Sequence, residues 1–257
     1  MNTLPTNQLF SLEGKTVICT GATGGIGQSL CKSLAEAGAD IISIQIPNDP
    51  NARSLSKCLT ELGRKLWTFE CNLTDPSSVR STFRDIWNAG ISPSVLLNCA
   101  GVNRRRPLTE VTDEDLELIL SVNLKATYVA AQEFANRLLE LKLPGKVINV
   151  GSVTSFRGMY NVSAYASSKG GVVQMTKSFS NELAPHNIQV NCICPGTPLT
   201  KQLENDPAYN DFILKATPAG RWGTPEDLRG ACIFLASNAS NFVTGSSLIV
   251  DGGMVAA

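Results

Sequence analysis

Short apolar runs alternate with longer segments of helical periodicity along most of the chain. The runs are rich in valine, isoleucine and leucine and lack strict polar alternation, which is typical of strands buried on both faces. We predict strands at Thr16–Thr20, Asp40–Gln45, Leu66–Glu70, Val95–Asn98, Lys146–Val150, Gln189–Ile193 and Ser247–Val250. We predict helices at roughly Gly25–Ala37, Ala52–Gly63, Ser77–Asn88, Asp113–Leu141, Ala164–Ala184 and Pro225–Ala236.

This regular alternation predicts one α/β domain over residues 1–257, with a doubly wound, seven-stranded parallel sheet and helices on both faces. One stretch, at about 196–222, is long, polar and rich in proline. Because loops of this length are usually functional, we expect it to form a substrate lid. Its aromatic residues, Tyr209, Phe212 and Trp222, either line the substrate pocket or pack the lid down.

Composition narrows the class of protein. The formal net charge is zero, so no general attraction to nucleic acid or to an anionic membrane is expected. No apolar run is long enough to span a bilayer, and the first ten residues lack the features of a secretory signal. Eight cysteines without a Cys-x-x-Cys pair indicate reduced thiols in a cytoplasmic protein, and a single histidine argues against a metal site.

A glycine-rich turn, Thr20-Gly-Ala-Thr-Gly-Gly-Ile-Gly27, follows the first predicted strand and precedes a predicted helix. This order is the context that a dinucleotide fingerprint requires, so the pattern favours a Rossmann-type fold. Glycine allows the close backbone approach that a pyrophosphate needs, and the helix start offers N–H groups to it. The alternative is a glycine turn without a ligand. The predicted cofactor contacts here are Gly21, Thr23, Gly24, Gly25, Ile26 and Gly27.

The end of the second strand predicts which dinucleotide is bound. A carboxylate there accepts from the ribose hydroxyls of NAD, whereas a cation binds the 2′-phosphate of NADP. Gln45 is neutral but can bind a ribose hydroxyl, and Ile46 is apolar. The first cation downstream is Arg53. We therefore predict NAD as the cofactor, with NADP as the alternative.

Tyr165 and Lys169 are the most informative pair of side chains. Four residues separate them, so they share one face of the predicted helix. A cation beside a phenol favours the phenolate form, which suits the phenol for proton transfer at neutral pH. Ser152, brought in from a strand end, could hold a substrate carbonyl beside them. The alternative is an ordinary amphipathic helix with a buried tyrosine and a solvated lysine.

Taken together, these motifs resemble the short-chain dehydrogenase/reductase family over nearly the whole chain. The Thr20–Gly27 turn is followed in order by Asn98-Cys-Ala-Gly101, by Asn123, Ser152, Tyr165 and Lys169, by Pro195-Gly196 with Thr200, and by Asp251-Gly-Gly253. The chain departs from the family at Cys99, an asparagine in most members, and at Asn72, where most carry aspartate. The resemblance implies a catalytic tetrad of Asn123, Ser152, Tyr165 and Lys169. It also implies cofactor contacts from Gln45, Asn72, Leu73, Asn98, Ala100, Gly101, Tyr165, Lys169, Pro195, Gly196, Thr197 and Thr200.

The resemblance implies a role for each tetrad member. Tyr165 exchanges a proton with the substrate oxygen, and Lys169 supports it and holds the nicotinamide ribose. Ser152 binds the carbonyl or alkoxide, and Asn123 orders a water that links Lys169 to solvent. It further implies a homotetramer, assembled through the helices at Asp113–Leu141 and Ala164–Ala184 and the C-terminal strand.

The substrate is indicated by Asn103-Arg-Arg-Arg-Pro107, which follows the fourth strand. Arginine suits a carboxylate, so we predict a small-molecule substrate bound by Arg104, Arg105, Ser152 and Tyr165. Within the family the chain is most similar to dehydrogenases of sugar acids such as 2-deoxy-D-gluconate or 2-dehydro-3-deoxy-D-gluconate, with gluconate and polyol dehydrogenases as close competitors. The sequence is also compatible with reduction of a different ketone or a 3-oxoacyl group, and with a catalytically silent nucleotide-binding regulator. The arginines could instead form a solvated loop or an oligomer contact.

Overall fold

The computed structural model describes residues 4–196 and 207–257. Its centre is a seven-stranded sheet in which every strand pair is parallel, with the order β3-β2-β1-β4-β5-β6-β7. This confirms the predicted doubly wound sheet. The strands are β1 (Thr16–Thr20), β2 (Asp40–Gln45), β3 (Leu66–Glu70), β4 (Val95–Asn98), β5 (Gly145–Val150), β6 (Ile188–Pro195) and β7 (Ser247–Val250).

Helices cover both faces of this sheet. The α-helices are α1 (Thr6–Leu9), α2 (Gly25–Glu36), α3 (Ala52–Glu61), α4 (Pro76–Asn88), α5 (Asp113–Leu120), α6 (Ala126–Leu141), α7 (Ser163–Leu183), α8 (Pro207–Ala216) and α9 (Arg229–Ala236). Short 3₁₀ turns occupy Leu108–Glu110, Val153–Ser155, Ala184–His186, Pro225–Leu228 and Asn238–Ser240. Among residues 4–196 and 207–257, no helix has the length and hydropathy needed to cross a bilayer.

Two apolar layers hold the helices to the sheet. On one face, Leu30 and Leu34 of α2 are fully buried in a cluster that also contains residues of α3 and α9. On the other face, Phe83 of α4 and Phe134 of α6 are 1% and 0% exposed in a second cluster. Burial on both faces explains why the central strands lack polar alternation.

Two predicted segments differ from the structure. The predicted helix Asp113–Leu141 is divided, because the turn Ser121–Lys125 between α5 and α6 is a π-helix. The chain stays helical through a π-turn, so an apolar pattern that predicts helix on both sides does not show where the α-helical hydrogen bonding is interrupted. In addition, the stretch predicted as a lid loop contains α8. Pro207 is the first residue of that helix, a position where proline is favoured. A proline in this stretch therefore does not by itself indicate a loop.

The strand order places a crevice beside β1. The chain crosses from β3, at one edge, to β4, which pairs with the other side of β1. The loops after β1 and β4 therefore diverge at the carboxyl edge of the sheet, which is where doubly wound folds bind their ligands. The glycine turn follows β1 and the Asn98–Gly101 segment follows β4, so both border this crevice.

Candidate active site

The glycine turn is packed too closely to accept side chains at two of its positions. Gly21 has a φ of +66° and donates its N–H to the carbonyl of Ile44 at 3.0 Å. A Cβ on Gly21 would lie 2.8 Å from the Cα of Ala100, and one on Gly27 would lie 2.1 Å from the carbonyl oxygen of Gly21. The turn is thus fixed against β2, the loop after β4 and its own helix.

A pocket of about 600 Å³ opens beside this turn. Its lining brings together most of the residues that the sequence predicts for a dinucleotide. The predicted residues that line it are Gly21, Thr23, Gly24, Gly25, Ile26, Gly27, Gln45, Asn72, Leu73, Ala100 and Gly101. The lining also contains residues that we did not predict, namely Ile44, Ile46, Asp49, Thr74, Cys99, Val102, Leu118, Val122 and Pro225.

The pocket fits a dinucleotide. The start of α2 has no side-chain cap, since Gly24 is its N-cap, and the first N–H groups of a helix lack intrahelical partners. Such a helix start binds phosphate, and the close contact of Gly21 with Ala100 brings two backbone segments together beside it. The residues present are therefore able to hold the pyrophosphate of a dinucleotide.

Asp49 is the most informative residue that the sequence analysis missed. Its carboxylate accepts a hydrogen bond from the Thr23 hydroxyl at 2.7 Å and one from the N–H of Asn51 at 2.9 Å. Gln45, only 9% exposed, accepts from the Ser43 hydroxyl at 3.1 Å. The end of the pocket beyond β2 therefore carries a negative charge. Asp49 is 26 residues from Thr23, so no local pattern indicated the contact.

Two predicted asparagines have structural contacts of their own. The Asn72 side-chain oxygen accepts from the N–H and the hydroxyl of Thr74, so the group that Asn72 can offer a base is its Nδ2 donor. Asn98 is 3% exposed, and its Nδ2 donates to Oδ1 of Asn149 at 2.9 Å. Asn98 is the last residue of β4 and its side chain joins β4 to β5, and its contact with a cofactor stays a prediction.

Lys169 and Tyr165 lie one turn apart on α7, as their spacing predicts. Lys169 is 4% exposed, and its ammonium donates to the carbonyl oxygen of Val150 at 2.7 Å. It lies 5.7 Å from the centroid of the Tyr165 ring. Tyr165 itself is half-buried. The structure thus puts a nearly buried ammonium beside a partly accessible phenol.

Ser152 follows β5 and caps the 3₁₀ turn Val153–Ser155. Its hydroxyl accepts from the N–H of Thr154 at 3.1 Å and it is 8% exposed. Ser155 joins this turn to α7, because its hydroxyl donates to the carbonyl of Lys169 at 2.8 Å and accepts from the N–H of Ser152 at 3.3 Å. The serine predicted to bind a carbonyl and the lysine predicted to support Tyr165 are thus held by one short hydrogen-bond chain.

Asn123 lies in the π-helical turn and is fully buried. Its oxygen accepts from the N–H of Val102 at 2.8 Å, and its Nδ2 donates to the carbonyl of Val102 at 2.9 Å and to the Ser168 hydroxyl at 3.1 Å. The side chain therefore fastens the loop after β4 to α7. The role that we predicted for it, ordering a water for Lys169, stays a prediction.

A pair of thiols lies beneath the β5 end of the site. The Cys192 and Cys194 sulfurs are 3.6 Å apart, and a Cβ on Gly151 would lie 2.9 Å and 2.8 Å from them. Glycine is therefore required between Val150 and Ser152. A hydrogen bond from the Cys192 thiol lowers the pKa of Cys194. Burial raises the pKa of the pocket residue Cys99 to about 12, which keeps that thiol protonated.

The three consecutive arginines have different partners. Arg106 forms an ion pair with Asp115, and the Nε of Arg104 lies 3.9 Å from the same carboxylate. Arg105 points elsewhere, since its Cζ lies 3.8 Å from the centroid of the Tyr209 ring on α8. Asp115 thus neutralises part of the charge on Arg104 and Arg106, whereas Arg105 stacks on an aromatic ring.

Tyr209 belongs to an aromatic group that joins α8 to the Ser152 turn. Its ring centroid is 6.0 Å from that of Trp222, which is 9% exposed. Trp222 and the fully buried Ile213 pack in one apolar cluster with Val153, the residue after Ser152. We predicted that these aromatics either line the substrate pocket or pack the segment down. Trp222 packs the segment down.

Two further predicted residues, Pro195 and Gly196, lie at the end of β6. Pro195 and Gly196 line a separate, smaller pocket of about 160 Å³, where a Cβ on Gly196 would lie 2.8 Å from the Cα of Asp251. Thr197 and Thr200 lie outside the described residues. Within the described part of the chain, no cluster of three or more histidine, cysteine, aspartate or glutamate side chains could hold a metal.

Comparison with known proteins adds independent findings. A family model described as enoyl-(acyl carrier protein) reductase matches residues 21–255. The 5-keto-D-gluconate 5-reductase of Escherichia coli strain K12 is 40% identical over 255 residues, covering 98% of this chain and 99% of the relative. The 2-dehydro-3-deoxy-D-gluconate 5-dehydrogenase of Bacillus subtilis strain 168 is 39% identical over 248 residues, covering 95% and 96%. The crystal structure of a gluconate 5-dehydrogenase from Burkholderia cenocepacia J2315, in complex with NADP and tartrate, has a TM-score of 0.92 and 36% identity and covers 97% of this chain and 98% of that one.

Proposed function

The chain belongs to the short-chain dehydrogenase/reductase family, and we propose that it catalyses the nicotinamide-dependent interconversion of a secondary alcohol and a ketone on a sugar acid. The observation that supports this most is the placement of the Tyr165–Lys169 pair. The Lys169 ammonium bonds to Val150, the last residue of β5. β5 pairs with β4, and the loop after β4 lines the pocket beside the glycine turn. When bound, the nicotinamide supplies or accepts the hydride.

The chain's own residues would move the proton. Tyr165 would protonate the substrate oxygen during reduction and accept the proton during oxidation, with the Lys169 ammonium one helical turn away. Ser152 would donate to the carbonyl oxygen, since its hydroxyl oxygen accepts from Thr154 and its proton remains to be donated. Asn123 would act as a positioning residue, because it ties the loop after β4 to α7.

We propose NAD as the preferred dinucleotide. The carboxylate of Asp49 lies in the pocket beyond β2, and no lysine, arginine or histidine is among the described residues that line this pocket. A 2′-phosphate carries about 1.5 to 2 negative charges and would be repelled there. The B. cenocepacia relative binds NADP, so the two proteins would differ at this end of the site.

The substrate class is supported by the arginines and by the relatives. Arg105 stacks over Tyr209, whose cluster packs against Val153 next to Ser152. A carboxylate on the substrate could therefore meet Arg105 while its carbonyl meets Ser152 and Tyr165. Two relatives are named for keto acids of gluconate, and a third binds tartrate, which is also a hydroxy acid. We propose that the segment 196–222 forms the lid over this substrate.

A substrate panel tests the proposal. Purified protein is assayed with NADH and NADPH against 5-keto-D-gluconate, the uncharged ketose D-fructose and a 3-oxoacyl thioester, by loss of absorbance. It is assayed with NAD⁺ and NADP⁺ against 2-dehydro-3-deoxy-D-gluconate, whose C5 carries a hydroxyl to be oxidised, by gain of absorbance. We expect the largest kcat/KM with a sugar acid and the NAD form of the cofactor. Preference for the thioester would overturn the substrate class, preference for NADPH would overturn the cofactor assignment, and no turnover at all would indicate a nucleotide-binding regulator.

Replacement of Arg105 by alanine tests the carboxylate contact. Because a hydrogen bond to a charged group contributes about 1.5–3 kcal/mol, we expect KM for the sugar acid to rise about 10- to 100-fold, with little change for an uncharged ketone. Arg104→Ala is the matched control, since Arg104 lies beside Asp115, and its effect should be several times smaller. Equal effects of Arg105→Ala on charged and uncharged substrates would argue against a carboxylate contact.

Two further properties are proposed with the function. We propose a homotetramer that uses the α6 and α7 faces, where half-exposed Tyr128 packs edge-on against Phe179 with centroids 4.9 Å apart. Light scattering coupled to gel filtration would decide it, and a monomeric mass would refute it.

We also propose a cytoplasmic location, because all eight cysteines are unpaired thiols, which a reducing compartment preserves.

A further inference from the structure

A second polar pocket lies at the amino ends of the strands, whereas the glycine turn lies at their carboxyl ends. It has a volume of about 140 Å³ and is formed where β5 and β6 begin. Because Ser152 follows the other end of β5, the length of that strand, roughly 20 Å, separates this pocket from the site described above. The polar side chains that matter most in its lining are Lys15, Ser94, Lys146, Gln189, Asn238 and Asn241.

Lys146 is a buried cation without a counter-charge. It is 5% exposed, and its ammonium donates to Oε1 of Gln189 and to the Ser240 hydroxyl, both at 3.2 Å. Both acceptors are neutral, and none of the ion pairs found in residues 4–196 and 207–257 includes Lys146. An ammonium has three donors, so one remains for a further acceptor. A buried charge of this kind is costly unless an opposite charge offsets it.

A second lysine increases the positive potential of the pocket. Lys15 lines the same space and is half-buried. Burial, with a smaller contribution from the charge of Lys15, lowers the pKa of Lys146 to about 8. Burial also lowers the pKa of Lys15. Among the described residues that line the pocket there is no aspartate or glutamate.

The pocket also contains an unsatisfied hydroxyl. Oγ of Ser94 is buried and has no hydrogen-bond partner. Buried polar atoms are nearly always paired, so an unpaired one calls for an explanation such as a bound ligand. The residues that line the pocket thus include a serine, two lysines and the asparagines Asn238 and Asn241, all of which carry hydrogen-bond donors. A single water needs only about 10–15 Å³ of such volume, so the pocket has room for an anion with several oxygens.

We propose that this pocket binds a phosphate group, with Lys146, Lys15 and the Ser94 hydroxyl as its donors. The ligand is either inorganic phosphate or the phosphate of a phosphomonoester, since both present the same oxygens. A compact anion with several acceptor oxygens matches two cations and neutral donors around one pocket better than a single carboxylate does, because it has more oxygens to accept from them. The site is separate from the pyrophosphate site at α2 and does not depend on the proposed reaction.

Thermal unfolding of the dinucleotide-saturated protein tests the proposal. Saturation is needed because the glycine turn is itself a phosphate site. Potassium phosphate and glycerol 3-phosphate are each titrated against potassium chloride at matched ionic strength. We expect phosphate to raise Tm by at least about 2 °C over chloride at concentrations well above Kd. A comparable rise with glycerol 3-phosphate would assign the site to phosphate groups in general, and a rise with inorganic phosphate alone would assign it to the free anion.

Variants locate the effect. Lys146→Met and Lys15→Met should each remove most of the phosphate-dependent rise, whereas Lys57→Met should retain it, because the Lys57 side chain is 80% exposed on α3. If Lys146→Met does not fold, Lys15→Met and Ser94→Ala carry the comparison. The proposal is overturned if phosphate raises the Tm of the native chain no more than chloride does. It is also overturned if the full rise persists in the folded lysine variants, since the anion would then bind elsewhere.

Discussion

Replacing Tyr165 with phenylalanine should lower kcat about 10²- to 10⁴-fold, the range that a positioned acid–base group contributes, while dinucleotide affinity changes little. Tyr165 lies on α7, one turn from a buried ammonium that donates to the carbonyl of Val150 at 2.7 Å. The substitution deletes one oxygen and leaves the ring in place. The loss should therefore be in chemistry, measured as kcat with the preferred sugar acid, and not in binding, measured by dinucleotide fluorescence.

Tyr128→Phe is the matched control. Tyr128 is 47% exposed on α6, where its ring packs on Phe179, so removal of its hydroxyl should leave kcat unchanged. If Tyr165→Phe kept more than about a tenth of the native kcat, another group would have to supply the proton. If Tyr165→Phe instead lost dinucleotide binding together with turnover, its role would be in holding the cofactor.

The central strands β1, β2 and β4 could be predicted to their boundaries because they are buried on both faces and read as apolar runs. The edge strands β3 and β7 are only partly buried, and they too have the predicted bounds. β6 extends beyond its predicted end to Pro195, because the residues that follow the apolar core of the strand still pair with β7. The π-turn at Ser121–Lys125 could not be predicted, since it depends on tertiary contacts of Asn123 that a helical pattern does not contain.

The candidate site was predictable where it rests on local spacing. The glycine turn and the Tyr165–Lys169 pair are each contained in a few consecutive residues, and the structure puts the turn at a pocket and the pair on one helix. Contacts between distant segments were not predictable. Asp49 bonds to Thr23 across 26 residues, and Arg105 differs from its neighbours only because Asp115 and Tyr209 lie where the fold puts them.

Replacing Gly27 with alanine should destabilise the apo protein and lower dinucleotide affinity together. A Cβ at this position would lie 2.1 Å from the carbonyl oxygen of Gly21 and 3.0 Å from the Cα of Ala22, and both are backbone atoms that cannot rotate away. The turn must therefore shift. We expect a loss of about 1–3 kcal/mol in the free energy of unfolding, the usual cost of overpacking. A displaced turn no longer presents the start of α2 to a pyrophosphate, so Kd for the dinucleotide should rise at least about tenfold.

Gly25→Ala separates the two effects, because a Cβ on Gly25 would meet no atom of another segment within 4 Å. Gly25 is the first residue of α2, and alanine there should leave apo stability within about 1 kcal/mol of the native value. If the pyrophosphate lies against this turn, the new methyl group should still weaken dinucleotide binding. Denaturant unfolding of the two apo variants, followed by dinucleotide titration, gives both quantities. Unchanged affinity in both variants would place the cofactor away from the glycine turn, and the pocket beside it would then need another ligand.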